Sequence, residues 1–414
     1  MKLSKYIMAG VLALTIASST FAQTKIYITG STAFRSAAVN GISGILSGTV
    51  NTAWDGLTSG VTGIGNANAV TWTGGTISNQ AVTIKASWSG SAGGVQTVAG
   101  APAFNVRFLV DGAVGGNNAD PRQPGNPAES AVPDVAMSDV YQGATPFHGT
   151  FNGVTYANLL DNPVGVVTFV WAASNGFPIG TGTGTSSSYS MTRQLAQALF
   201  PTGAIPLSMI TGSTSHHDTA VIATGRDFDS GTRLTAVAEG QVGVTTLLDQ
   251  YKPTVSGGHI TALVCYPRTT INGVDTQVCG NSGESSGSSL RNFLTNIVDQ
   301  TAVNMVPGGF TNGGYMMTYL GVSDYNSVSA TAVKLKYAGN DFSQSNVEEG
   351  QYTFWGYEHL VYKSSLSGIK LTFATNLTSH IQSETSGTLN PNVALSDMQV
   401  QRFSDGGTVS SLLH

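Results

Sequence analysis

Short apolar runs and stretches of helical periodicity alternate along the chain from residue 25 onward. Residues 25–28 make a brief apolar run stopped by Gly30, Ser31 and Thr32, which predicts a strand. Over 33–46 the apolar side chains return at helical spacing, through Phe34, Ala37, Ala38, Ile42 and Leu46, and predict a helix. The order then repeats. A strand over 81–88 runs into the glycine- and serine-rich 89–94, after which 95–98 starts another helix. A short buried strand over 134–137 ends at Ser138 and Asp139, and the unbroken apolar run 164–172 reads as a strand covered on both faces. A solvated Gly/Thr/Ser loop over 180–188 precedes a capped helix over 190–200. A strand over 219–224 leads into Arg226 and a helical stretch at 234–238. A helix over 289–297, with Ser288 or Ser289 as its N-cap, and strands over 315–319 and 354–362 complete the series. Between them, 101–133 carries Gly115, Gly116, Asn117, Asn118 and clustered prolines, and reads as an irregular insertion. Strands alternating with helices predict an α/β fold built on a parallel sheet with crossover helices, and no internal repeat interrupts it.

The first 22 residues differ in kind. Lys2 and Lys5 precede an apolar run over 7–16 and small residues over 18–22, the pattern of a secretory signal peptide cleaved after Ala22, with Thr20 and Ala22 marking the cut. The run is too short to span ~30 Å of hydrocarbon, and no later stretch reaches ~20 apolar residues, so a periplasmic or secreted protein is expected. The chain has 414 residues, enough for two or three compact units, and 41% of them are hydrophobic. Charged residues are only 10% of it and the net charge is −5, which excludes a broad basic nucleic-acid footprint. Two cysteines cannot build a disulfide-dense scaffold or a four-thiolate zinc site. They flank Asn272-Gly273, a strong hairpin signal. A strict two-residue turn leaves Cys265 one position out of register with Cys279. A bulge or longer turn, encouraged by Pro267, would set them opposite for a structural disulfide in an oxidising compartment.

Four polar loops concentrate the candidate chemistry. They are 29–34, 90–94, Ser138-Asp139 and 226–232; each follows an apolar strand and three open a helix. Such loops aim backbone N–H groups at one spot, where the helix dipole favours an anion. Amides, hydroxyls and the single guanidinium of Arg226 would together cage a tetrahedral oxyanion. Asp139 can only accept from a ligand that still carries a proton, and it would repel sulfate, which is a route to phosphate selectivity. The run Ser215, His216, His217, Asp218 has adjacent histidines that converge poorly on one ion, so no metal is expected. Ser91 or Ser230 with His148 or His359 would suit an exported phosphatase-like hydrolase, but no Gly-x-Ser-x-Gly elbow frames either serine. Trp171, Tyr352, Trp355 and Tyr357 lie in or beside apolar strands and read as core.

The ordered loops resemble those of the phosphate-binding protein of the bacterial phosphate ABC importer. Gly30 to Phe34 echo that family's opening loop, Gly90 to Val95 its Gly-Ser-x-Gly-Gly-Val loop, and Asp134 to Asp139 its Asp-x-x-x-Ser-Asp strand end. Arg226, Ser230, Gly231 and Thr232 keep the spacing of its Arg-x-x-x-Ser-Gly-Thr loop. Weaker echoes at 280–283, 313–315 and 349–352 follow in family order, so the resemblance covers most of the chain after residue 22. It implies a two-lobe type II periplasmic-binding-protein fold, with mixed sheets, flanking helices and two hinge crossings. Lobe one would be 23–165 plus 357–414, lobe two 172–351, and the hinge strands 166–171 and 352–356. It also implies a ligand site. Phe34 would donate its amide, Ser31 or Thr32 and Ser91 their hydroxyls, and Asp139 would accept the ligand's proton. Arg226 would supply charged hydrogen bonds, and Ser230, Gly231 and Thr232 would donate from a helix N-terminus. The implied protein is a monomer that is not an enzyme, carries no cofactor, and passes inorganic phosphate or a similar oxyanion to an ABC permease. Three departures stand out. Ala33 replaces a ligand-contacting Thr, Phe228 replaces an Asp that braces the Arg, and 101–133 separates two site loops. An extracellular structural or adhesive protein reusing the fold remains the other non-enzymatic reading.

Overall fold

Branched and aromatic side chains suit a pleated, buried surface, and the runs rich in them form the strands. The computed structural model describes residues 23–267, 270–271, 274–275 and 282–412. Seven strands position the site: β1 (Thr24–Gly30), β2 (Gln80–Ser87), β3 (Val135–Ser138), β4 (Leu159–Ala173), β5 (Ala220–Ala223), β6 (Gly314–Gly321) and β7 (Trp355–Lys363). They belong to one 13-stranded mixed sheet, in the order β5, β6, β4, β7, β3, β1, β2, with short strands continuing at both ends. The fold is therefore α/β.

Register decides where the loops emerge. β1 runs parallel to both neighbours, with Thr29 opposite Ser87 and Gly30 opposite Met137, so β1, β2 and β3 end level. β4 is the element that joins the halves. It pairs antiparallel with β7 as far as Thr168 opposite Trp355, and from Phe169 opposite Gly321 it pairs with β6. β5 lies parallel to β6. Counting directions through β4 and β7, β5 and β6 run opposite to β1–β3. The carboxyl ends of the two sets therefore face each other where β4 changes partner, the usual place for a ligand crevice in α/β sheets.

Five helices matter here: α1 (Arg35–Ile45), α2 (Ser91–Ala99), α3 (Gly231–Glu239), α4 (Gly287–Asn296) and α5 (Gly368–Gln382). α1 packs on α5 at Gly41, where an added Cβ would stand 2.9 Å from Leu377 and Ile381. The largest core cluster runs through both halves of the sheet and includes Trp72, Trp88, Trp171 and Trp355. Trp171 and Trp355, on strands, and Tyr352, just before one, are fully buried, and Tyr357 packs partly buried against the same cluster.

Several boundaries differ from the sequence reading. α2 begins at Ser91, four residues before the expected start, because its glycines pack against β1 and β3: a Cβ at Gly94 would lie 2.7 Å from Gly30 Cα. α4 is capped by Ser286, whose Oγ accepts from the Ser289 amide at 3.0 Å, rather than by Ser288 or Ser289. Part of the expected 180–188 loop is strand. Ser186–Met191 pairs with Val333–Tyr337 and buries Ser187, so the following helix starts at Arg193 behind a Thr192 cap. The insertion is also partly ordered, since Val106–Phe108 pairs with Glu129–Ala131. Lys25 and Lys85 bind Asp111 and Glu129 and fasten it to the sheet. Thr270 and Ile271 pair with Asp275 and Val274, and the expected turn at Asn272-Gly273 lies outside the described residues. Cys279, and with it the expected disulfide, lies outside the described residues, as do 1–22 and the expected cleavage point. Among the described residues no helix is long and apolar enough to cross a membrane.

Candidate functional site

Asp139 follows directly on β3 and is 1% exposed. Its Oδ1 accepts from Ser91 Oγ, its own amide donates to that oxygen at 3.2 Å, and its Oδ2 accepts from Thr232 Oγ1 at 3.3 Å. Thr235 Oγ1 donates to its carbonyl at 3.3 Å. The carboxylate lies directly on the backbone at the start of α3: a Cβ on Gly231 would stand 1.5 Å from Oδ1 and 2.7 Å from Ser91 Cβ. A side chain there is excluded. One carboxylate thus rests against the first turns of α2 and α3, where both helix dipoles concentrate positive potential. Burial pushes the Asp139 carboxyl above its ordinary range, while the Ser91 hydrogen bond and the Arg226 charge pull it back.

Arg226 is 2% exposed, and its guanidinium is braced from behind. Nε donates to the Glu284 carbonyl at 2.9 Å and Nη2 to the Ser285 carbonyl at 3.0 Å, in the segment leading into α4. Its amide donates to the Tyr319 hydroxyl at 3.2 Å. Two carbonyls therefore brace the guanidinium in a chain that has Phe228 where the resembling family has an acid. Ser230 Oγ accepts from the Arg233 amide at 3.2 Å and caps α3. The same loop turns back on α2. The Ala92 amide donates to the Asp229 carbonyl at 3.0 Å, and Gly90, with φ +100°, lets that carbonyl come close.

The first loop is arranged differently. Ser31 Oγ donates to Glu358 Oε2 at 3.1 Å, and the Phe34 amide donates to Ser31 Oγ at 3.4 Å. Phe34 itself is core. Thr32 faces a separate gap of about 30 Å³ shared with Arg35, Gly287 and Asp324. The structure therefore gathers Ser91, Asp139, Gly231 and Thr232 at one point, with Ser230 and Arg226 on the adjoining turn. Ser31 and Phe34 connect to that point through Glu358, and Thr32 does not face it.

Glu358 was not among the sequence candidates. It is fully buried on β7, on the strand face of Gly356, whose added Cβ would lie 3.0 Å from the Asp139 carbonyl. Burial and the neighbouring Asp139 push its carboxyl well above the ordinary range. An acid inside the apolar run 354–362 was the available signal. The histidines are engaged elsewhere: His148 Nδ1 is 2.8 Å from the Thr145 carbonyl, His359 Nδ1 2.6 Å from Asp161, and His216 Nδ1 2.9 Å from Thr211 Oγ1. Among the described residues no hydrogen bond joins Ser91 or Ser230 to a histidine, and no cluster of His, Cys, Asp and Glu suits a metal ion.

No family profile matches this chain, and no curated protein matches it. Solved structures do. A Clostridium perfringens protein described as a phosphate ABC transporter substrate-binding protein, with bound phosphate, is 11% identical. That match covers 90% of this chain and 100% of the other, at a TM-score of 0.45. An ABC-type phosphate transport receptor from Vibrio cholerae is 11% identical over 88% of this chain and 96% of its own, at 0.42. A phosphate-binding protein from Stenotrophomonas maltophilia is 12% identical over 86% and 84%, at 0.33.

Proposed function

We propose that this chain is an exported solute-binding protein that captures phosphate, or a related tetrahedral oxyanion, for an ABC permease. One observation carries the reading. The hydroxyls of Ser91 and Thr232 and the start of α3 already converge on a single buried anionic group, Asp139. An oxyanion entering there takes over the donors that now face the carboxylate. Asp139 then turns from accepting those hydroxyls to accepting the ligand's own proton. Arg226, held by the two carbonyls behind it, supplies the positive charge. The proposed lobes, 23–165 plus 357–414 and 172–351, contribute Ser91 with Asp139 and Arg226 with Thr232 respectively. Ligand contacts made only when the lobes meet would shift the population toward the closed form, with bending at 166–171 and 352–356. No covalent step is required.

The same observation supports a second reading, an extracellular structural protein reusing the fold, because Asp139 pairs with the Ser91 and Thr232 hydroxyls without a ligand. Calorimetric titration separates the two. The binding reading expects saturable uptake of one phosphate, lost in Arg226→Gln. Absence of any heat with phosphate, arsenate and sulfate would leave the structural reading.

A further inference from the structure

β7 lies between β4 and β3 in the middle of the sheet, and Glu358 is the acid within it. The register that sets His359 opposite Ser138 brings Glu358 level with Asp139, and on the other side Glu358 stands opposite Gly165. Its Oε2 accepts from Ser31 Oγ at 3.1 Å, and its buried Oε1 has no hydrogen-bond partner among the described residues. Resting on the phosphate-binding reading above, we propose that Glu358 is a positioning residue of the oxyanion cage. It works as a neutral acid that accepts from Ser31 and so sets the loop Gly30–Phe34 against the two loops that carry Ser91 and Asp139.

That loop touches both of them. The Gly90 amide, one residue before Ser91, donates to the Gly30 carbonyl at 2.9 Å. The Ser31 amide donates at 2.8 Å to the carbonyl of Met137, two residues before Asp139. Ser31 is itself completely buried, and its hydroxyl has a single proton to give, which goes to Glu358. The same oxygen accepts from the Phe34 amide at 3.4 Å, at the start of α1. One side chain on β7 therefore fixes the hydroxyl about which the loop turns.

The neutral state follows from the surroundings. A buried carboxylate needs a cation or several donors, and Glu358 has one neutral hydroxyl. β3 brings it Asp139, a like charge, and β4 offers Gly165. α2 packs on β7 and carries no titratable side chain. α1 and α5, which share a core cluster with Leu360, carry Arg35, Lys370 and His380, but these pair with Asn68, Asp134 and Glu384. Arg226 on the far side of the cage acts on Asp139. An ionised Glu358 would add a second negative charge beside Asp139 and repel the oxyanion. With its proton in place, Asp139 alone meets the ligand.

The test joins infrared spectroscopy to calorimetry with inorganic phosphate, both at pH 7, on the chain and on Glu358→Gln, Glu358→Met and Ser31→Ala. Glutamine keeps the shape, the neutrality and the acceptor. Methionine keeps the bulk and the neutrality and drops the acceptor, and Ser31→Ala breaks the same contact from the other side. The chain should show a protonated-carboxyl band that Glu358→Gln lacks. Phosphate should bind Glu358→Gln within threefold of the chain and bind the other two more than threefold weaker. Combining Ser31→Ala with Glu358→Met should cost no more than the worse single change. Absence of the band, a loss beyond threefold in Glu358→Gln, or unchanged affinity in Glu358→Met or Ser31→Ala, even with a lower melting temperature, overturns the inference and leaves the phosphate reading standing. Should Glu358→Met fail to fold, Ser31→Ala and Glu358→Gln decide the matter between them. If the unaltered chain gives no heat with phosphate, the phosphate reading falls and the positioning role falls with it.

Discussion

Asp139 is a carboxylate almost wholly shut off from the surface, and its company determines its chemistry. Removing its charge while keeping its shape should change selectivity more than folding. In Asp139→Asn the amide can donate to a fully deprotonated anion, so sulfate should bind, while phosphate should weaken by roughly 10- to 100-fold, the value of one charged hydrogen bond. Competition titrations of phosphate against sulfate read this directly. Gly231→Ala tests the close approach. Its methyl group would have to displace the Asp139 carboxylate, so phosphate binding should vanish and stability should fall by about 1–3 kcal/mol in urea titrations. At this scale much of the site was legible in the sequence. Ser91, Asp139 and the 230–232 turn sit in short polar loops directly after apolar strands, where local pattern and tertiary position agree. Glu358 was passed over, because an acid inside an apolar run signals burial but does not reveal its partner Ser31, 327 positions away.

At the scale of elements, a buried ion pair ties the end of α3 to the segment entering β7. Arg402 Nη1 donates to Glu239 Oε2 at 3.0 Å at the end of α3, its Nη2 donates to the Thr353 carbonyl at 2.7 Å, and its guanidinium lies 3.9 Å from the Trp355 ring. Both charged residues are essentially inaccessible. Arg402→Met should destabilise the chain by about 2–4 kcal/mol, since it leaves the buried Glu239 carboxylate with only the longer contact to Arg193 at 3.4 Å and the Thr353 hydroxyl. Adding Glu239→Gln should recover a large part of that loss in the same denaturation assay. Neither residue stood out in the sequence, where both lie in ordinary polar stretches. The strands β1–β4 and the helices α1 and α3 were legible from apolar runs and periodicity. Ser186–Met191 was not: its serines have the composition of a loop, and only pairing with Val333–Tyr337 makes it a strand. α2 was placed late because Gly93 and Gly94 have poor helix propensity, which close packing on β1 and β3 overrides.

For the whole molecule, the buried acids set the response to pH. Asp405 is raised to about 7 and Asp227 to about 6, and Asp229 and Glu358 are likewise raised well above the ordinary carboxyl range, all chiefly through burial. An acid with a raised folded-state pKa holds its proton longer in the native state than in the unfolded chain. Native protein therefore binds more protons between about pH 4 and 7, and stability falls as pH rises through that window. Asp111, held near 2 by Lys25 and Lys85, acts in the opposite sense and only below about pH 4. Melting temperature should thus be higher at pH 5 than at pH 7.5. Asp405→Asn should flatten part of the slope by relieving a carboxyl that faces the Tyr141 amide, His359, Arg402 and Asp139.

The most direct test of the oxyanion cage is a crystal structure of the chain grown with inorganic phosphate. The account predicts one phosphate within hydrogen-bond distance of Ser91 Oγ, Thr232 Oγ1 and the Gly231 amide, with the Asp139 carboxylate turned to its protonated oxygen and Arg226 against its charge. A saturated crystal in which Asp139 still holds Ser91 and Thr232, with no anion between them, would contradict it.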